Sequence, residues 1–234
     1  MTNWNLLFDG QQTYVEIPDD EKFSVSTTGG LTVSAWMRPD VLTFPVEEAQ
    51  GYVHWLGKGE AGNQEWTFRM YGADTTAPAD TNNPAGPTRS GRISFYLFNP
   101  DGHLGVGSYF QDELAAGVWM HVVGAADSTN TYIYRDGVQR NSQTYAPRIV
   151  PAHGSANVRI GTRDLKSFFQ GSIREVRIWN RCLTATEVAA LHETGTGPAA
   201  GLVAEYLLTA DVALDSTGGL HNGNISFGSW VIAT

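Results

Sequence analysis

The chain has 234 residues, 41% hydrophobic and 11% aromatic, with a formal net charge of −9. It holds enough apolar residues for a packed core, and its acidity leaves nothing to gain from counterion release on a nucleic acid, which excludes DNA and RNA as expected partners. No apolar run reaches the about 18 residues of a membrane-spanning helix, and with Cys182 as the single cysteine no internal disulfide can form.

The opening, Met1 to Gly10, lacks both a basic stretch and an apolar stretch, so no signal peptide is expected in this chain. The compartment stays open between the cytoplasm, non-classical export, and an extracellular protein from which a signal was removed. Short apolar alternations follow. Residues 13–17 read as a strand. Leu31, Val33, Ala35 and Met37 then alternate with Thr32, Ser34, Trp36 and Arg38. A loop is expected over 40–51, carrying Pro45, Glu47 and Glu48, and a strand over 52–56. Trp66, Phe68 and Met70 alternate with Thr67, Arg69 and Tyr71. Residues 72–91, rich in Ala, Thr, Pro, Asn and Gly, read as a second long loop, of the kind that carries function or is disordered. Ile93, Phe95 and Leu97 alternate with Ser94, Tyr96 and Phe98, and Asn99-Pro100-Asp101-Gly102 reads as a turn.

Strands are expected at 118–125, 131–135, 157–161, 172–179, 202–208 and 224–232. Asp136-Gly137 supplies the positive φ of a tight hairpin. One helix is expected after Thr184, where Thr184 and Glu187 have the spacing of a capping box and Gly195 marks the stop. Strands of five to eight residues separated by Gly and Pro predict an all-β chain, a two-sheet antiparallel jelly-roll β-sandwich with one short helix, as a single domain over residues 1–234.

Several segments together resemble the laminin-G-like and pentraxin-like domains of the concanavalin A-like lectin/glucanase superfamily. They are Leu7-Phe8-Asp9-Gly10 with Tyr14 to Pro18, Leu31 to Pro39, Trp119 to Val123 followed by Tyr132 to Gly137, and Gly171 to Arg181 with the capped helix. Leu202 to Tyr206, Asp215 to Gly218 and His221-Asn222-Gly223 resemble a strand and polar turn that often open such domains, and here they come last. The resemblance implies a carbohydrate-binding recognition module. It also implies a calcium ion as cofactor, held by carboxylates and backbone carbonyls. The closing signature carries Arg174 where the family usually has an aspartate. A guanidinium repels a cation, so Arg174 is expected to replace the ion by pairing with Asp9 or a nearby carboxylate. The alternative is a displaced metal site built on Asp9 and Asp215.

Glycoside hydrolysis needs two carboxylates about the scissile bond. No Glu-x-Asp-x-x-Glu pattern occurs, and Asp19-Asp20-Glu21 and Glu47-Glu48 lie in turn-like contexts. No Gly-x-Ser-x-Gly elbow occurs either, and Cys182 reads as a buried, inert thiol. His103, His121, His153, His192 and His221 lack metal spacing and read as structural or surface residues. Trp66, Trp119 and Trp179 are assigned to the core. The alternation places Arg38, His54, Arg69, Tyr71, Tyr96 and Phe98 opposite the apolar sets of their strands, and Trp36 shares that parity. If those strands are neighbours, the six form an aromatic and arginine-rich patch for a glycan or polysaccharide. A protein-interaction or homo-oligomeric assembly module is the alternative function, and a polysaccharide lyase or glycoside hydrolase comes third.

Overall fold

The computed structural model describes residues 4–80, 83–209 and 212–232. In chain order the elements are β1 (Trp4–Asp9), β2 (Tyr14–Ile17), a 3-10 turn (Glu21–Phe23), the single-turn α1 (Val25–Thr28), β3 (Leu31–Pro39), β4 (Tyr52–Lys58) and β5 (Trp66–Tyr71). Then come β6 (Pro78–Asp80), β7 (Asn83–Thr88), β8 (Ile93–Phe98), β9 (Gly105–Phe110), β10 (Met120–Ala126), β11 (Asn130–Arg135) and β12 (Val138–Thr144). The last are β13 (Val158–Ile160), β14 (Gln170–Trp179), α2 (Ala185–Thr194), β15 (Leu202–Tyr206), β16 (Asn224–Ser226) and β17 (Ser229–Ile232).

Among the described residues the strands form two large antiparallel sheets. One runs β12-β11-β10-β3-β14-β1-β17, with β15 also paired to β14. The other runs β16-β2-β13-β4-β5-β8-β9. The expected sandwich is therefore present. Its core is the set of inner-facing residues that alternation predicts: Leu31, Val33, Ala35 and Met37 of β3 face Phe68 and Met70 of β5 and Ile93 and Phe95 of β8, all completely buried. Each of these side chains larger than Ala35 contributes about 1.5–3 kcal/mol of burial. No helix among the described residues is long and apolar enough to cross a membrane.

At the centre of the core, the Phe68 and Phe95 ring centroids lie 4.9 Å apart and Trp55 packs 4.7 Å from Phe68. Gly124 of β10 faces this cluster. A Cβ there would stand 2.4 Å from the Phe95 ring and 2.7 Å from Phe68, so only glycine admits both rings. Gly124→Ala is expected to overpack the core and to lower stability by about 1–3 kcal/mol, read from a urea midpoint. An unchanged midpoint would show that the two rings can separate.

A polar tie gathers the connections at one end of the seven-stranded sheet. Lys58 closes β4 with its side chain fully buried. Its ammonium pairs with Glu65 and with Asp19 at 2.8 Å, and donates to the Gly154 carbonyl at 2.6 Å. Glu65, itself buried, also accepts the Gly154 N–H at 3.0 Å.

Several sequence expectations need revision. Residues 72–91 are not a bare loop: β6 and β7 pair there as a separate ribbon. Residues 224–232 are two strands in different sheets, because Phe227 adopts φ 55° and turns the chain from one layer to the other. β9 and β12 carry too little alternation to announce themselves. Trp119 is half-buried on an outer face, unlike Trp66 and Trp179, which are buried as expected. The capping box of α2 is present, with Gly195 in the left-handed conformation as its stop, and Asp136 and Gly137 both take positive φ in the β11–β12 hairpin.

Candidate functional site

The helix α2 covers part of the outer face of the eight-stranded sheet, burying Val188 and Leu191 against Val123, Tyr134 and Trp179. The outer face of the seven-stranded sheet carries a different chemistry. Pairing sets His54 beside Arg69, Arg69 beside Ser94 and Ser94 beside Tyr109 across β4, β5, β8 and β9. One step along, Tyr52 stands beside Tyr71, and one step the other way Thr67 stands beside Tyr96. Side chains of equal parity share a face, so this surface gathers aromatic rings and guanidinium groups from strands far apart in the chain.

Arg69 occupies the centre. Its guanidinium carbon lies 4.6 Å from the Tyr52 ring centroid, 5.0 Å from Tyr96 and 5.2 Å from Phe98. Tyr52 packs 5.1 Å from Tyr71, whose hydroxyl accepts from Arg89 Nη1 at 2.8 Å. At the far end Arg163 stands 5.6 Å from Phe98 and pairs with the buried Asp164 at 2.8 Å. The result is a ladder of alternating cations and rings from Arg89 to Arg163. Arg92 lies 3.9 Å over Tyr109 and donates twice to Gln111 Oε1, at 3.2 and 3.0 Å. Arg69, Tyr52, Tyr96 and Tyr109 are partly open to solvent, whereas Tyr71, Phe98 and Arg92 are buried beneath them.

Two loops wall this face. Residues 161–169 cross the end of β4, where Gly161 donates to the Trp55 carbonyl and Ser167 Oγ accepts the His54 N–H at 3.0 Å. His54 is thereby sealed, with Nδ1 2.9 Å from Thr67 Oγ1. Burial, then the charge of Arg163, pushes its pKa well below the ordinary value and keeps it neutral. On the other side, residues of the 40–51 and 72–91 segments enclose a cavity of about 350 Å³ lined by Glu47, Gln50, Asp74, Thr75 and Arg89. Burial, then Asp74, raises the Glu47 carboxyl. The carboxyl of Glu48, at the edge of the aromatic face, is raised by burial and then by Asp164.

Of the six residues read from alternation, Arg69, Tyr71, Tyr96, Phe98 and His54 stand on this one face. Arg38 does not: β3 belongs to the other sheet, where Arg38 pairs with Asp40 at 3.1 Å and lies 5.6 Å from Trp119. His54, wholly enclosed, offers nothing to a ligand. Tyr52, Arg89, Arg92, Tyr109 and Arg163 escaped the sequence reading. Tyr52 shares the parity of His54, which is a usable signal, whereas Arg89 and Arg163 lie outside alternating segments.

Arg174 does not pair with Asp9. It stacks over Trp119 at 4.4 Å and lies 3.6 Å from Glu175. Asp9 Oδ1 accepts the N–H groups of Gln11, Gln12 and Thr13, each at 2.9 Å. Burial alone would raise this carboxyl, but the three bonds hold it below its ordinary value. Asp215 accepts from the Glu205 N–H at 3.1 Å and the Thr217 hydroxyl at 2.7 Å, and His221 bridges it at 3.3 Å to Asp20 at 2.9 Å. Asp215 is occupied by protein donors on both oxygens and Asp9 on Oδ1, a donor set that fits a calcium ion poorly. No group of three His, Cys, Asp or Glu side chains among the described residues could hold a metal. Cys182 is half-buried and not enclosed as expected, and burial pushes its thiol up to about 11, which disfavours the thiolate.

Comparison with known proteins agrees with this architecture. A family model for the concanavalin A-like lectin/glucanases superfamily, of laminin-G type, matches residues 9–189. No curated protein sequence matches the chain. Among solved structures, the chain is similar to a candidate carbohydrate-binding protein from Bacteroides ovatus, with a TM-score of 0.65 and 16% identity over 99% of this chain and 60% of that one. It is similar to a heptameric SAP-like pentraxin from Limulus polyphemus, with a TM-score of 0.62 and 11% identity over 99% and 95% of the two chains. The binding domain of botulinum neurotoxin DC, solved with rat synaptotagmin II, gives a TM-score of 0.56 and 13% identity over 78% of this chain and 40% of that one. The chain thus spans about 60% of the length of the Bacteroides protein. At these identities the structural likeness shows a shared fold.

Proposed function

The chain belongs to the concanavalin A-like lectin/glucanases superfamily, and from that premise we propose that it is a non-catalytic carbohydrate-recognition module. The observation that carries this reading is the outer face of the seven-stranded sheet, where Arg69 stands between the partly open rings of Tyr52 and Tyr96, with the exposed Tyr109 beyond them over Arg92. Sugar rings present apolar C–H faces that stack on aromatic side chains, while hydroxyls are read by planar donors such as guanidinium. The cavity beside Arg89 gives the same face a recess for a branch or a chain end. The Bacteroides neighbour supports the reading by its own description.

Catalysis fits the face less well. Hydrolysis needs two carboxylates on opposite sides of the bond. Here Glu48 stands at the edge, Asp164 is buried in its pair with Arg163, and Glu47 and Asp74 lie together in the recess beside Arg89. A glycan array followed by titration of the hits tests the proposal. Tyr96→Ala is expected to weaken binding about tenfold, the scale of one lost aromatic stack, and chelation by EDTA is expected to change nothing. Silence across neutral and acidic glycans would overturn it.

A further inference from the structure

Arg69 differs from most arginines of this chain. Arg159, Arg163, Arg177 and Arg181 each hold a carboxylate. Among the described residues Arg69 has no carboxylate within ion-pair distance and no hydrogen-bond acceptor for any of its N–H groups, and its Nε is buried without a partner. Instead three rings surround it. A guanidinium held in this way is oriented and partly stripped of water, with its planar fork still unfilled. Such a group is complementary to an oxyanion, whose bonds to it are charge-assisted and can be bidentate.

The surroundings point the same way. Arg89, Arg92, Arg163 and Lys166 stand about the same face of a chain that is otherwise acidic, with only 15 Lys and Arg against 24 Asp and Glu. Of these cations Arg163 is neutralised by the buried Asp164, and Arg92 is satisfied by the neutral Gln111. Five cations thus gather where the aromatic rings are, against Glu48 at the edge and Asp164 paired with Arg163, in a chain whose net charge is −9.

We propose that the ligand of this face is an acidic glycan whose carboxylate or sulfate is received by Arg69, with the flanking tyrosines stacking on the sugar that bears it. The inference rests on the carbohydrate-recognition reading and narrows it to one ligand class.

Matched polymers test it. Dextran against dextran sulfate isolates sulfate, and polygalacturonate against its methyl-esterified form isolates carboxylate, with affinities measured by surface plasmon resonance on the intact chain. Dextran sulfate, polygalacturonate or both are expected to bind and their uncharged counterparts to fail, and which arm responds identifies the anion. Arg69→Gln is expected to weaken that binding about tenfold to a hundredfold, whereas Arg148→Gln, an exposed arginine elsewhere, should leave it unchanged. As a measurement that needs no variant, wild-type affinity should fall steeply between about 50 and 500 mM NaCl. Equal binding to charged and uncharged partners, or an Arg148→Gln loss equal to that of a folded Arg69→Gln, would overturn the anion assignment while leaving glycan recognition standing. Failure of all four polymers together with a silent glycan array would remove both.

Discussion

Lys58→Ala is expected to lower folding stability by about 3–5 kcal/mol, the cost of leaving a buried carboxylate without its cation. Glu65 is 4% exposed and would keep only the Gly154 N–H and the edge of His153. Asp19, more open at 24%, can recover water. The midpoint of thermal unfolding should fall by roughly 6–20 °C for a domain of this size. Glu65→Gln should cost less than Lys58→Ala, because Lys58 retains Asp19 and the Gly154 carbonyl, and the new amide retains an acceptor for Gly154 N–H. A Lys58→Ala loss below about 1 kcal/mol would show that water reaches Glu65 freely.

Acid should destabilise the fold well before its carboxylates protonate. His121 of β10 is 1% exposed, and burial, then the charge of His192, then that of Arg177, lowers its pKa from 6.5 to about 4. The unfolded chain binds this proton near pH 6.5 and the folded chain only near pH 4. The folded state therefore keeps its full stability above about pH 6.5 and loses it progressively as pH falls to about 4. The loss from His121 approaches about 3 kcal/mol at the lower limit. His54, also depressed by burial, acts in the same direction. Below pH 4 the lowered carboxylates of Asp9, Asp20 and Asp215 extend the decline, since their stabilisation is present above their unfolded values and lost beneath them. Urea midpoints at pH 7, 5.5 and 4 measure the slope. His121→Leu should flatten it whatever its effect on absolute stability, and an equally steep slope in that variant would mean that His121 opens to solvent on protonation.

The inner half of each sheet was readable because a sandwich strand must present one apolar row. Leu31 to Met37, Trp66 to Met70 and Ile93 to Leu97 all fall on the inner side that their parity predicts. Parity also placed Arg69, Tyr71, Tyr96 and Phe98 outward. It says nothing about which strands share a sheet, and that is why Arg38 was grouped with residues on the opposite side of the molecule. Nor does it reveal what lies on top of a face, which only the path of residues 161–169 decides for His54. The edge strand β12, with the sequence VQRNSQT, is mostly exposed and so leaves no apolar trace. Arg89 and Arg163, which flank the aromatic face, come from the β7–β8 and β13–β14 connections, whose positions follow from tertiary packing.

The last two strands close both layers, β17 against β1 in one sheet and β16 against β2 in the other. Leu6 therefore meets Trp230, and Val15 meets Ile225, across almost the whole described chain. During synthesis neither sheet can complete this margin until its final segment has left the ribosome, and the edges of β1 and β2 stay open to foreign strands in the interval. Such distant pairings also place the protein among slow folders.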